Sequence, residues 1–155
     1  MRMVFEGKID VRAPAQKAWD FLTDIKSFSS CMPGLEKVTQ IDERTFDGII
    51  AASVGPISGQ FSFRATIVDS KPPDELVVRT EGTDSVTGSR MNADVTINMR
   101  EPLKNHTQLE YRADVQIQGR LAILGDMIVR ATASLMLEDF AERLRKQLEG
   151  RAAKK

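Results

Sequence analysis

Hydrophobic and polar residues alternate along the first third of the chain with two different periods. "VFEGKIDVRA" alternates from residue to residue, which predicts a first β-strand that ends at "APAQ". In "AQKAWDFLTD", Pro14 suits the first turn of a helix. The apolar residues of this helix recur at helical spacing: Ala15, Ala18, Trp19 and Leu22. Asp24 is a candidate N-cap for a second short helix, which must end before Pro33.

From Leu35 to Ile117 the pattern is that of strands. Six segments alternate: "LEKVTQI", "FDGIIAASV", "ISGQFSFRATIV", "DELVVRTEG", "RMNADVTINM" and "TQLEYRADVQI". The separators, such as "GP" at 55–56 and "TDSVTGS" at 83–89, are turn sequences, and their shortness favours an antiparallel meander. One face of this sheet is polar and the other is apolar, so the second face must be covered.

The last segment, "GRLAILGDMIVRATASLMLEDFAERLRKQLEG", predicts one long helix with Gly150 as its stop signal. Its predicted buried stripe has Met127 beside it and consists of Leu121, Leu124, Ile128, Ala131 and Leu135. All helices must cover the single apolar face of the sheet. The pattern thus predicts an α+β fold: a curved seven-stranded antiparallel sheet around a long C-terminal helix, with two short helices between strands 1 and 2. We expect one domain over residues 1–150 and a short basic tail over 151–155.

Small residues occupy several positions that should face inward on the sheet. They are Ala52, Gly59, Ala65, Ala93 and Ala113. Small side chains there leave volume between sheet and helix, which favours an internal cavity. The alternative is a filled core, in which bulky helix residues such as Met127, Leu135 and Met136 occupy that volume.

Charge and composition narrow the class of protein. The chain has 155 residues, and its 22 basic residues balance 22 acidic ones, which argues against nucleic acid as a partner. A single cysteine fits a reducing compartment. No segment resembles a signal peptide or a membrane span, so we expect a cytoplasmic protein, either free or peripheral at the inner face of the cytoplasmic membrane.

Candidate catalytic and metal-binding residues are few. The only histidine, His106, lies in a polar hairpin loop, and the inward positions supply no carboxylate by this pattern. With one histidine and one cysteine there is no zinc site, and we expect no cofactor and no enzymatic activity. In "SSCMPGLEKV" we interpret Cys31 as a small packed side chain, Pro33 as a helix stop and Gly34 as a turn residue.

The segment "FEGKIDVRAPAQKAWDFLTDIKSFSSCMPGLEKV" resembles the start of the carbon monoxide dehydrogenase CoxG family, a branch of the START/Bet v 1-like (SRPBCC) superfamily with a helix-grip fold. The resemblance continues through "VGPI" at 54–57 and "GRLAILG" at 119–125. It implies a non-enzymatic accessory protein of a molybdenum hydroxylase of the carbon monoxide dehydrogenase type. It also implies transient contact with the cytoplasmic membrane and an apolar ligand, either a quinone or a lipid.

Two functions follow from these considerations. The first is a carrier with an internal apolar cavity, whose ligand-binding residues we expect to be Trp19, Leu22, Met32, Val54, Ile57, Phe61, Phe63, Met91, Ala93, Tyr111, Leu124, Met127 and Ile128. The second is an assembly or docking factor for the dehydrogenase, with a filled core and a binding surface at the charged end "EDFAERLRKQLEGRAAKK". An enzyme such as a cyclase is a third alternative and would require buried polar groups on inward positions.

Overall fold

The computed structural model describes residues 1–54, 57–84 and 88–150, apart from the side chains of Val54 and Ile57. The predicted "GP" turn, most of the predicted "DSVT" turn and the basic tail lie outside the described residues. The described elements are β1 (Arg2–Val11), α1 (Ala15–Thr23), α2 (Ile25–Cys31), β2 (Leu35–Gln40), β3 (Thr45–Val54), β4 (Ile57–Lys71), β5 (Glu75–Asp84), β6 (Ser89–Leu103), β7 (His106–Gln118), α3 (Arg120–Ile123) and α4 (Asp126–Glu149).

The strands form one antiparallel sheet in the order β1-β7-β6-β5-β4-β3-β2. Helix α4 packs against both β1 and β3, which lie towards opposite edges of this sheet, while α1 packs against β6 and β7. A sheet that touches one helix from both sides must curve around it. The predicted α+β fold, with two short helices between the first two strands, is therefore confirmed.

The corner after the first two helices has the predicted geometry. The Asp24 carboxylate caps α2 by accepting hydrogen bonds from the Ser27 backbone N–H at 3.1 Å and from the Ser27 hydroxyl at 2.7 Å. The helix ends at Cys31, and Gly34 has a φ of 82°, a conformation that favours glycine. A Cβ at Gly34 would collide with the Ala51 carbonyl oxygen, so the corner is specified by glycine twice over.

The single long C-terminal helix was a wrong prediction in one respect. The chain breaks between α3 and α4 at Gly125, whose φ is 89°, so the two helices do not share one continuous stripe. Leu121 is buried as predicted, but Leu135 is 67% exposed and Ala131 also faces solvent. Helix α4 instead buries the opposite face: Val129, Ala141, Leu144 and Leu148.

Buried apolar residues form two separate clusters. The basal core joins α1, α2 and the C-terminal half of α4 to the sheet: Ile9, Val11, Ala13, Ala18, Trp19, Leu22, Cys31, Leu76, Met99, Leu109, Ala141, Leu144 and Leu148. The apical cluster joins α3 and the first turn of α4 to the other end of the sheet: Met3, Phe61, Val115, Ile117, Leu121 and Val129. The inner surface of the sheet between these clusters is where a ligand site is to be sought.

Candidate functional site: the inner surface between two clusters

The inner surface of the sheet is built from small and half-buried residues. Ala65 pairs with Thr80 and Thr80 with Ala93 across β4, β5 and β6, so three short side chains lie side by side. In the next row Val95 pairs with Ala113 and Ala113 with Phe5. Ala65 is buried, but the other five side chains are only half-buried although they lie on the face that the helices cover. Partial exposure on a covered face indicates space between sheet and helix.

The residues proposed to fill that space point elsewhere. Met127 is 84% exposed and Leu135 is 67% exposed, so both project away from the sheet. Only Met136 of the three is half-buried. The filled-core alternative therefore loses two of its three bulky side chains.

Aromatic rings form one side of this inner surface. Phe63 packs edge-on against Phe46 with 6.0 Å between ring centroids, and its Cζ lies 2.6 Å from where a Cβ on Gly48 would be. Phe46 in turn packs against Phe28 of α2 at 6.2 Å, and Phe28 against Phe140 of α4 at 5.8 Å. Phe28, Phe46 and Phe140 were not among the predicted site residues. The signal that could have found Phe46 is its alternation with Gly48 and Ile50 on the inward side of β3.

Tyr111 lies on the inner surface against β1. A Cβ at Gly7 would collide with the Tyr111 hydroxyl, so the phenol ring extends over the space that this glycine leaves. The ring is half-buried and packs against the basal core. The predicted inward position of Tyr111 is confirmed.

The other predicted ligand residues are distributed over both clusters. Trp19 and Leu22 are each 6% exposed in the basal core, and Phe61 is buried in the apical cluster. Four further residues are half-buried, the last three of them packed against the apical cluster: Met32, Met91, Ala93 and Leu124. Val54 and Ile57 pair at the end of the β3–β4 hairpin, but their side chains lie outside the described residues.

Two predicted ligand residues do not face the interior. Met127 is 84% exposed and Ile128 is 39% exposed. The physical reason is the break at Gly125: α4 starts anew at Asp126 and turns Val129 towards the apical cluster, which leaves Met127 and Ile128 on the outer side. Their prediction as inward residues was wrong.

One carboxylate faces inward, contrary to prediction. The turn-like composition of "TDSVTGS" predicts that the strand ends before Asp84. Strand β5 instead continues to Asp84, which is 2% exposed and lies against Gly59 of β4. The buried hydroxyl of Ser89 accepts a hydrogen bond from the Leu121 backbone N–H at 3.2 Å and so holds the start of α3.

Reactive groups are not assembled in the part of the chain that the structure describes. Those residues contain no group of three His, Cys, Asp or Glu side chains that could hold a metal ion. His106 is exposed at the first position of β7. Cys31 is fully buried, and this burial raises the pKa of its thiol, which disfavours the nucleophilic thiolate.

The solvent face of the sheet carries a separate groove of about 780 Å³. Its lining is mainly polar and includes the ion pair between Arg64 and Asp47, at 2.7 Å. Phe63 is the only predicted ligand residue in that lining. This groove therefore belongs to a different surface from the apolar one described above.

Comparisons with known proteins agree with this architecture. The solved structure of a conserved protein from Geobacillus kaustophilus has a TM-score of 0.88 at 21% identity, with 95% of each chain covered. A START superfamily protein from Mycobacterium smegmatis gives a TM-score of 0.72 at 13% identity, with 94% of this chain and 97% of that chain covered. The Zhui aromatase/cyclase from Streptomyces sp. R1128 gives 0.71 at 16% identity, covering 98% and 96%. These identities establish a shared fold.

Two further comparisons concern the sequence. No curated protein matches the chain. Among the described helices, none is long and apolar enough to cross a bilayer. The model of the carbon monoxide dehydrogenase CoxG family matches residues 7–149, nearly the whole chain. The protein is therefore a member of the CoxG family with a START/Bet v 1-like fold.

Proposed function

We propose that this protein is a non-enzymatic carrier that holds an apolar small molecule, quinone-like or lipid, between its sheet and α4. It would serve a molybdenum hydroxylase of the carbon monoxide dehydrogenase type. The family supports the choice of partner enzyme. The observation that carries the proposal is the half-buried, apolar inner surface around Ala93, Ala113 and Tyr111, on the face of the sheet that the helices cover.

The chemistry of the inner surface suits binding better than catalysis. Its side chains are mostly aliphatic or aromatic, which is the usual lining of a ligand pocket. The Thr107 hydroxyl donates to the Ala13 carbonyl at 2.6 Å, and Ser89 accepts from the Leu121 backbone, so both buried hydroxyls support the fold. Tyr111 offers a hydroxyl to which a carbonyl of a ligand would bind, although packing already accounts for its position. A general acid or base has to reach a bound substrate, and His106 is on the outside.

The place of action follows from this role. A carrier that exchanges an apolar molecule between a membrane and an enzyme would reside in the cytoplasm and touch the inner face of the membrane transiently. The equal numbers of acidic and basic residues speak against nucleic acid as a further partner.

A substitution on the inner surface tests the carrier. Ala93→Trp places a large ring between β5 and β7, where Ala93 pairs with Thr80 and Val115. We expect loss of uptake of the fluorescent probe 1-anilinonaphthalene-8-sulfonate, and of its displacement by the quinone menadione. Overpacking at such a site costs about 1–3 kcal/mol of stability, which a folded domain tolerates.

The matched control is Asn92→Trp, one residue away on the exposed face of β6. It adds the same ring without touching the interior and should leave uptake unchanged. Circular dichroism establishes that both variants are folded. Equal uptake by the wild type and the Ala93→Trp variant would argue against an internal site and would favour the docking factor with a filled core.

A further inference from the structure

The outer side of α3 and of the first half of α4 carries an exposed apolar surface, which we name the apical patch. It consists of Ile123, Met127, Ile128, Ala131 and Leu135. Ile123 is 82% exposed, Met127 84% and Leu135 67%. Met127, Ala131 and Leu135 are spaced four residues apart and so form one row along α4. Single exposed apolar residues are ordinary, but a contiguous row marks an interaction surface.

The helical segment that bears the apical patch is apolar on both sides. Leu121 and Val129 pack inward into the apical cluster while their neighbours face solvent. Arg130 is the only charged residue between Met127 and Leu137. Its guanidinium donates to the Val4 carbonyl at 3.2 Å and lies 5.0 Å from the centre of the Phe5 ring. The charge is thus held against β1, and the patch itself carries none.

Charges near the apical patch are mainly positive. Two acidic residues of this end are neutralised by ion pairs, Asp114 with Arg2 at 2.7 Å and Asp126 with Arg130 at 3.2 Å. Arg90, at the start of β6, and Arg120, at the start of α3, are exposed at the same end. The linking residues 55–56 and 85–87 carry no charge in the sequence. A surface with this combination attracts an anionic partner.

The size and shape of the apical patch select among possible occupants. A stable protein–protein contact buries roughly 800 Å² on each partner, and four protruding aliphatic side chains offer well under that. Apolar side chains that stand out from a helix flanked by arginines suit the interface of an anionic bilayer, which accepts them without shape complementarity. We propose that the apical patch docks on anionic lipid headgroups, with Met127 and Ile123 entering the interface and Arg90 and Arg120 facing phosphates.

This proposal rests on the membrane contact in the proposed function and assigns that contact to a surface. Leu121 and Val129, on the inner side of the same segment, reach the cluster that borders Met91 and Ala93. Docking through the apical patch therefore brings the proposed ligand site to the membrane. It requires no particular ligand, so docking and uptake can fail independently.

Co-sedimentation with vesicles tests the proposal. We expect the wild type to sediment with vesicles of phosphatidylcholine and phosphatidylglycerol, and less with phosphatidylcholine alone or at high salt. The double variant Ile123→Glu/Met127→Glu should bind at least about tenfold more weakly, because it replaces inserted apolar side chains with anions. A matched pair refines this: Leu135→Glu should weaken binding, whereas Leu103→Glu, at 68% exposure on the far β6–β7 hairpin, should not.

Four results would overturn the assignment. They are absence of wild-type sedimentation, equal losses for Leu135→Glu and Leu103→Glu, loss that follows only from removing residues 151–155, and self-association that the glutamate variants abolish without any vesicle binding. Uptake of 1-anilinonaphthalene-8-sulfonate in solution is measured on the same variants. Preserved uptake with lost sedimentation supports docking through the patch, and lost uptake in all proteins would count against the carrier function instead.

Discussion

The two ends of α4 do different work. At its C-terminal end Leu144 and Leu148 are at most 2% exposed in the basal core, and the outer face carries the ion pairs Arg143–Asp139 and Lys146–Glu142. At its N-terminal end only Val129 is buried, and the outer face is apolar. One end is thus an ordinary amphipathic helix and the other is apolar on both sides. We conclude that the basal core supplies stability and that the apical half is available for binding.

The strongest test of this division compares two leucines of α4. Leu144 is 0% exposed, so Leu144→Ala removes packed methyl groups from the basal core and should cost about 3 kcal/mol of unfolding free energy. Leu135→Ala, in the apical patch, should change it by less than about 0.5 kcal/mol. Urea denaturation of both variants measures the difference. Equal costs would mean that the two halves of α4 contribute alike to stability.

A smaller difference is expected between two glycines at the helix ends. Gly34 follows α2 and Gly125 precedes α4, and both have positive φ. A Cβ at Gly125 meets nothing within 4 Å, so Gly125→Ala should cost only the backbone strain, about 1 kcal/mol. Gly34→Ala adds a collision with the Ala51 carbonyl and should cost at least about twice as much. The reverse order in thermal denaturation would show that the α3–α4 junction is the more tightly constrained of the two.

The smallest effect concerns pH. The Glu101 carboxylate accepts hydrogen bonds from the Ala15 N–H at 2.8 Å and the Asn105 N–H at 2.9 Å, and these bonds lower its pKa. A lowered folded pKa means that this stabilisation is complete above the unfolded value, about 4.3, and disappears as the pH falls through the lower folded value. The corresponding bond at the start of α3, from Leu121 to Ser89, has no titrating group.

Acid should therefore loosen the start of α1 before the start of α3. Amide hydrogen exchange at Ala15 and Leu121, followed from neutral pH to about pH 3 and corrected for the intrinsic rates, measures this. The variant Glu101→Gln should remove the pH dependence at Ala15, since its side chain stays neutral. Parallel loosening of both amides in the wild type would indicate global unfolding rather than a local effect of Glu101.

Most of the fold was predictable because strand alternation and turn sequences act locally. The cap at Asp24, the stop before Pro33 and the turn at Gly34 were all readable from neighbouring residues. The extension of β5 to Asp84 was not, since a turn-like composition there is overridden by pairing with Ser89 across the sheet. Local chemistry therefore predicted the elements better than it predicted their ends.

The site was harder to predict because α4 has two apolar faces in its first half. The stripe through Ile128 and Leu135 has the same helical period as the face that buries Val129, and the sequence pattern does not rank the two. The choice is made by tertiary structure, through the break at Gly125 and the packing of Val129 into the apical cluster. The inward sheet residues Phe63, Ala93 and Tyr111 were correct because a two-residue period leaves no such ambiguity.

The most direct test of the carrier is native mass spectrometry of the protein purified from its own cells, followed by solvent extraction of what accompanies it. The account predicts one apolar molecule per chain, a quinone or a lipid, and its absence from the Ala93→Trp protein prepared in the same way. A wild-type protein that carries no small molecule and takes up no added menadione would contradict the account.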